Sequence, residues 1–421
     1  MRKLTLLFLS MFFSCLLFAQ VEPAEYKIKA EKFKEFYEKD QPDSLYQLFG
    51  KTIKASMPPD KAGILLAQLK GQFGKLNSLQ FDSFKSPVAS YNAAFEKGNF
   101  TMNLSLDNEK KLNVFFFKPQ TSTTKPVAAG LKELPFNVNT TDASLSGSLV
   151  VPEKTNGKIP VVLIIAGSGP TDRNGNSSLG VSANPYYLLA NDLGKAGIAS
   201  LRYDKRAIGK STTTKSLTAI RFDDFVNDAV ALIKQLKADP RFSKVIVLGH
   251  SEGSLIGMIA AEREKVDGYI SLAGAGDKAS KVITEQYKVR TPEVFSASKA
   301  KLDSLDKGLK VSDNHDPMFA STMQPYVISW FKYNPQTEIK KLNMPVLIVQ
   351  GTTDVQISVS DAQNLKKAKP DAKLVLIDGM NHVLKDAPAD LKQNIATYNN
   401  PNLPLDTKLV DAVAQFVTQL K

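Results

Sequence analysis

Cysteine is almost missing from this chain: the only one, Cys15, falls in an apolar stretch at the amino terminus. A disulfide framework, a thiolate metal site and a cysteine nucleophile are therefore excluded from the rest of it. Histidine is nearly as scarce. With only His250, His315 and His382 available, a multi-histidine metal centre is excluded as well, and neither a metal nor an organic cofactor is expected. The 421 residues carry a net charge of +12, yet they contain no arginine cluster and no basic stripe interleaved with aromatics, so nucleic acid is not the expected partner. After the first 20 residues no apolar run is long enough to span a bilayer.

What is present begins with Met1-Arg2-Lys3, an apolar run from Leu4 to Phe18, then Ala19-Gln20 and a polar stretch. A basic start, an apolar centre and a small residue at the end predict a signal peptide over residues 1–20 and an exported protein, periplasmic or secreted. Lipidation at Cys15 is disfavoured because Leu16-Leu17-Phe18 continue the apolar run. Loss of Arg2 and Lys3 lowers the charge from +12 to +10, by subtraction, which suits association with anionic envelope polymers.

Two textures follow. Residues 21–118 offer an amphipathic helix (EYKIKAEKFKEFYEKD), a second helical stretch (PDKAGILLAQLKGQFGKL) and alternating runs such as NFTMNLSLD and KLNVFFFKP, the pattern of a small α+β domain. Residues 119–134 read as a polar linker containing Pro126 and Gly130. From 135 to 421 strands alternate with helices, which predicts an α/β domain with a mostly parallel sheet. Its strands (PVVLIIAG, IASLRYD, KVIVLGH, VDGYISLAG, MPVLIVQG, AKLVLIDG) are nearly continuous in apolar character, as strands covered on both faces must be. A helix-leaning segment at about 277–338 interrupts this rhythm and reads as a cap insertion. Its Trp330 and Phe331 are candidates for a pocket wall or for ordinary packing.

The chemistry concentrates at the carboxyl ends of the predicted strands. Gly249-His250-Ser251-Glu252-Gly253 joins a strand to a helix, the setting in which a serine is exposed on a sharp turn and the next amide, that of Glu252, can receive developing negative charge. Asp354 follows the strand VLIVQG, and His382 follows LVLIDG. The order is nucleophile Ser251, acid Asp354, base His382, with His382 removing the serine proton and Asp354 fixing its tautomer. His250 is expected to pack away from the site, and His315 lies in the cap. A second oxyanion donor is expected from the small residues after PVVLIIA: Ser168 N–H is preferred, with Gly169 as the alternative. A phosphate cradle does not fit, because Gly167-Ser168-Gly169 has neither a following Lys-Ser/Thr pair nor GxGxxG spacing.

GSGPTDRNGN, RYDKRAIGKS and GHSEGS together resemble the α/β-hydrolase superfamily, in particular serine esterases related to dienelactone hydrolases and prolyl-oligopeptidase-type acylhydrolases. The resemblance runs from about residue 135 to the end. It implies an α/β-hydrolase fold with helices on both faces, and hydrolysis of a small-molecule carboxylic ester through an acyl-serine intermediate. One departure is Ala207, where such sequences commonly carry glycine. Asp204 and Arg206 are expected to hold that loop. The first region is weakly similar to cystatin-like α+β domains, which implies no function. A thioesterase or serine peptidase on the same triad, or a non-catalytic envelope-binding protein, are the alternatives.

Overall fold

The computed structural model describes residues 22–57, 59–96, 98–119, 126–177, 180–312 and 316–420. The signal-peptide expectation with Cys15, the centre of the linker and His315 lie outside these residues. The chain divides into two compact units, 1–122 and 123–421.

Unit 1 places helices α1 (Ala24–Glu38), α2 (Pro42–Leu48), α3 (Lys51–Ser56) and α4 (Ala62–Phe73) before an antiparallel sheet of β1 (Leu76–Lys85), β2 (Val88–Phe95), β3 (Gly98–Leu106) and β4 (Leu112–Pro119), in sequence order. Its strand period is plain in β2, where Ala89, Tyr91, Ala93 and Phe95 are buried and the residues between them are not. That buried face meets Ala30, Phe33 and Tyr37, one stripe of α1.

Unit 2 is built on a larger sheet with strand order β13-β12-β11-β10-β7-β8-β6-β5. The strands are β5 (Leu131–Asn139), β6 (Ala143–Pro152), β7 (Ile159–Ile165), β8 (Ala199–Tyr203), β9 (Thr212–Thr213, paired with β6), β10 (Phe242–His250), β11 (Gly268–Leu272), β12 (Val346–Gly351) and β13 (Lys373–Ile377). From β8 to β13 the neighbours are parallel, while β5 and β6 are antiparallel. Residues 131–134, read in the sequence as linker, belong to β5. Pro135 lies within β5, which is the edge strand, the position in a sheet where proline is tolerated.

Helices cover both faces. These are α5 (Pro185–Lys195), α6 (Phe222–Ala238), α7 (Glu252–Arg263), α8 (Ala279–Arg290), α9 (Phe295–Asp306), α10 (Gln324–Phe331), α11 (Pro335–Lys340), α12 (Val359–Ala368), α13 (Leu391–Ala396) and α14 (Thr407–Gln419). In β7, Val161, Leu163 and Ile165 pack into the core built with α6 and α7, whereas Val162 and Ile164 pack with α5 and α14. Both parities are apolar because both faces are covered. The cap segment between β11 and β12 consists of α8, α9 and α10, which share a small core of Ile283, Leu302, Leu305, Phe319, Val327 and Phe331.

Strand order sets the position of the site. After β7 the chain moves outward to β8, and with β10 it returns to the other side of β7 and proceeds to β13. The crevice of such a sheet opens at the strand ends where the order reverses, here between β7 and β10.

Candidate active site

Ser251 caps α7 at the end of β10, with φ 56° and ψ −123°, a backbone conformation that costs a non-glycine residue on the order of 1–3 kcal/mol. The flanking glycines make the turn possible. A Cβ on Gly249 would lie 2.1 Å from the Gly253 carbonyl oxygen, and one on Gly253 would lie 2.3 Å from the Ile165 carbonyl oxygen. The loop after β7 also passes close, since a Cβ on Gly167 would stand 3.1 Å from the Ser251 Cβ. Gly167-Ser168 and Ser251-Glu252 therefore face each other across the switch point. Among the described residues neither Ser168 N–H nor Glu252 N–H donates a hydrogen bond.

Asp354 follows β12 and His382 follows β13 at the same edge, with His382 Nδ1 2.8 Å from Asp354 Oδ2. A carboxylate only accepts, so Nδ1 carries a proton, and in the neutral form of the ring Nε2 is the acceptor. The Asp354 side chain is fully covered although its backbone is not. Burial alone would raise its pKa. The His382 imidazole and the N–H groups of Ile357 and Gln356 outweigh burial and hold it below the ordinary carboxylate range. Those amides reach Oδ1 at 2.9 and 2.7 Å, and Gln350 Nε2 reaches Oδ2 at 3.2 Å. The loop presenting His382 is wound around Asn381, whose Oδ1 accepts from Val383 and Lys385 N–H at 3.1 Å each.

His250, the residue before Ser251, is buried against this loop, its ring centroid 4.8 Å from that of His382. Its Nε2 lies 3.0 Å from the His382 carbonyl oxygen and its Nδ1 lies 2.7 Å from the Tyr186 hydroxyl. A carbonyl only accepts, so Nε2 donates. Burial, reinforced by the neighbouring His382, pushes the His250 pKa down to about 3, and the ring is neutral. Nδ1 then accepts from the Tyr186 hydroxyl, whose oxygen receives the Gly167 N–H at 3.2 Å. One directed chain of hydrogen bonds thus runs from the Gly167 loop through Tyr186 and His250 to the His382 backbone. The Ser251 hydroxyl itself makes no hydrogen bond among the described residues.

The remaining sequence candidates have structural contacts. Asp204 accepts from the Arg173 guanidinium at 2.7 Å and from Arg173 and Lys210 N–H at 2.9 Å each, and Arg206 pairs with buried Asp228 at 2.7 Å. Ala207, between these residues and Gly209, has φ 64°. Phe331 is enclosed in the cap core, and Trp330 lies parallel to Phe222 of α6 with centroids 6.2 Å apart, so both pack.

Three residues of the site were not found in the sequence: Tyr186, Lys205 and Gln350. Only Lys205 carried a usable signal, a lysine at a strand end between Asp204 and Arg206 in RYDKR. No group of three or more His, Cys, Asp or Glu suited to a metal occurs among the described residues.

Residues 178–386, a stretch containing Ser251, Asp354 and His382, match the family described as serine aminopeptidase, S33. The chain is 23% identical to esterase EstD of Thermotoga maritima over 98% of its own length and 99% of that protein's, so the match spans both units. The mostly parallel sheet of unit 2, with helices on both faces, has the fold of the α/β-hydrolases. Solved structures similar to this chain include ferulic acid-bound Est1E from Butyrivibrio proteoclasticus (19% identity, TM-score 0.46, 68% of this chain and 98% of that one). An esterase of Pyrococcus furiosus is similar too (17% identity, TM-score 0.46, 69% and 92%).

Proposed function

We propose that this hydrolase is an exported serine carboxylesterase. The observation that carries the reading is the Asp354–His382 pair, 2.8 Å apart, with the His382 loop packed against His250, the residue that precedes strained Ser251. The likeness to esterase EstD over both units supports it, and export rests on the leader-like residues 1–20.

In the proposed reaction Ser251 Oγ attacks the ester carbonyl carbon while His382 Nε2 takes the hydroxyl proton. The new oxyanion is received by the N–H groups of Ser168 and Glu252. Collapse expels the alcohol, which leaves with the proton returned by His382, and the acyl group stays on Ser251. Water repeats the sequence and releases the acid. Asp354 keeps the proton on Nδ1 and stabilises the transient imidazolium.

Peptide cleavage is the reading that the family description suggests. An aminopeptidase must neutralise its substrate's ammonium. Glu252, the acid beside the nucleophile, has both carboxylate oxygens engaged by Lys205 and Tyr326, which favours the ester. The test is a fluorophosphonate label together with turnover of p-nitrophenyl esters, acyl-CoA thioesters and amino-acid anilides. The expected result is labelling that Ser251→Ala abolishes and turnover dominated by esters. Folded protein that is never labelled, or anilides turned over faster than esters, would overturn the reading.

A further inference from the structure

Lys205 takes no part in the chemistry above, yet its ammonium is almost completely withdrawn from water. The Lys205 side chain is 4% exposed and that of Glu252 1%. Nζ donates to the Gly167 carbonyl at 3.1 Å and to Glu252 Oε2 at 3.1 Å, and it lies 4.5 Å from the centroid of the Phe225 ring. The other carboxylate oxygen, Oε1, accepts from the Tyr326 hydroxyl on α10 of the cap segment. Tyr326 in turn stands edge-on to Phe225, with centroids 5.7 Å apart. Apolar residues of the same volume generally stabilise a core at least as well as a buried ion pair, so stability alone does not account for this one.

Its placement does. The Gly167 carbonyl and the Ser168 N–H belong to one planar trans peptide and point in opposite directions, so whatever fixes the carbonyl also aims the N–H. An ammonium on the oxygen also polarises the unit and makes its N–H a stronger donor. Restraint is needed there because glycine does little to restrict its own rotation. Gly167 is held on both sides, its N–H on Tyr186 and its carbonyl on Lys205. The anion that holds Lys205 is the side chain of Glu252, whose own backbone N–H is the other oxyanion donor of the proposed mechanism.

We infer that the Lys205–Glu252 pair is a positioning device. It locks the Gly167–Ser168 peptide with its N–H turned toward the oxyanion, and Tyr326 of the cap segment steadies the carboxylate from the far side. The inference rests on the acyl-serine reading above.

Two neutral pairs, Lys205→Met/Glu252→Gln and Lys205→Met/Glu252→Leu, remove both charges together, so that neither ion is left buried alone and one misfolded combination does not decide the matter. Each is compared with the parent for thermal unfolding, for kcat and KM on p-nitrophenyl acetate, and for affinity toward a trifluoromethyl ketone, whose serine adduct carries an oxyanion. The expected result is cooperative unfolding, a kcat lower by about 10²-fold, KM within about threefold, and ketone affinity reduced in proportion to kcat/KM. A folded neutral pair that keeps kcat and ketone affinity within threefold overturns the inference. So does a loss that appears only as a raised KM. Ser251→Ala is measured in parallel. Ester turnover surviving in it overturns the acyl-serine reading, whereas an inactive Ser251→Ala beside fully active neutral pairs overturns the positioning role alone.

Discussion

The two units bury different things. In unit 1 the interior is a cluster of aromatic and aliphatic side chains around Phe33, Tyr37 and Phe95, and Ser105 is the one buried polar side chain of an otherwise apolar set among its described residues. Unit 2 encloses Arg202, Lys205, Arg206, Asp228, Glu252, His250 and Lys385 besides its apolar core. Unit 1 therefore demonstrates that an apolar interior is enough to specify a fold of this size. Each buried charge in unit 2 carries a desolvation penalty that burial of a leucine does not. Most of these polar groups belong to β8, the loop after it, the elbow or the His382 loop, and what they provide is orientation: Arg206 on Asp228 holds one loop, Lys205 holds a peptide, and the neutral His250 holds the His382 backbone.

If that contrast is right, a small change at the sheet edge should act on chemistry, whereas a large one in unit 1 should act on stability alone. Asp354→Asn keeps the shape of the side chain but allows the imidazole the wrong tautomer, and kcat should fall by about 10⁴-fold, about 5.5 kcal/mol in the barrier, with little change in the melting temperature. Steady-state ester hydrolysis beside calorimetry reads both quantities, and a loss under tenfold would remove Asp354 from the mechanism.

Phe33→Ala is the converse. Phe33 is fully buried and meets Phe115 and Phe117 at centroid distances of 4.9 and 5.7 Å. Unit 1 should lose about 3–5 kcal/mol, and kcat below its unfolding temperature should stay within threefold. Turnover that falls in step with unfolding of unit 1 would show that the chemistry depends on it.

A third measurement concerns His250, which faces the Tyr186 hydroxyl, the His382 ring and, beyond that ring, Asp354. Its folded pKa, about 3, lies below the unfolded value of 6.5. Between those limits the unfolded chain binds a proton that the folded chain refuses. Stability contributed by this site is fully present above about pH 6.5 and is lost as the pH falls, by about 1.4 kcal/mol per pH unit. His250→Asn should remove about one proton from the slope of unfolding free energy between pH 6 and 4, measured by denaturant titration. Equal slopes in the two proteins would mean that the ring is not held neutral.

The smallest effect is expected at Ala207, which stands with φ 64° where similar sequences commonly carry glycine. Ala207→Gly should stabilise unit 2 by about 0.5–1 kcal/mol and leave kcat unchanged. A destabilised variant would mean that the methyl group contributes packing that outweighs the backbone strain.

The sequence exposed these sites unevenly. The elbow was legible because Gly249 and Gly253 answer a local demand, two backbones passing where a Cβ cannot fit, and local demands are recorded within a few residues. The core strands were legible because coverage on both faces makes them apolar throughout. Residues 131–134 do not read as strand because they follow directly on the polar stretch with Pro126 and Gly130, and only the pairing of β5 with β6 distinguishes them from it. Tyr186 and Gln350 leave no mark in their own segments, and RYDKR marks Lys205 without showing which distant polar group it will meet.

Sequence alone determined the division into an α+β region and an α/β region, the succession of strands, and the order in which Ser251, Asp354 and His382 reach one sheet edge. Each follows from hydrophobic periodicity or from turn geometry, which act over short stretches of chain. Only the tertiary structure decided that a cap tyrosine would reach Glu252 across 74 residues, that Lys205 would close on the Gly167 carbonyl across 38, and that His250 would pack against the His382 ring and stay neutral. The strength of a buried polar contact depends on the convergence of separate segments and on the exclusion of water, and neither exists until the sheet and its helices have packed.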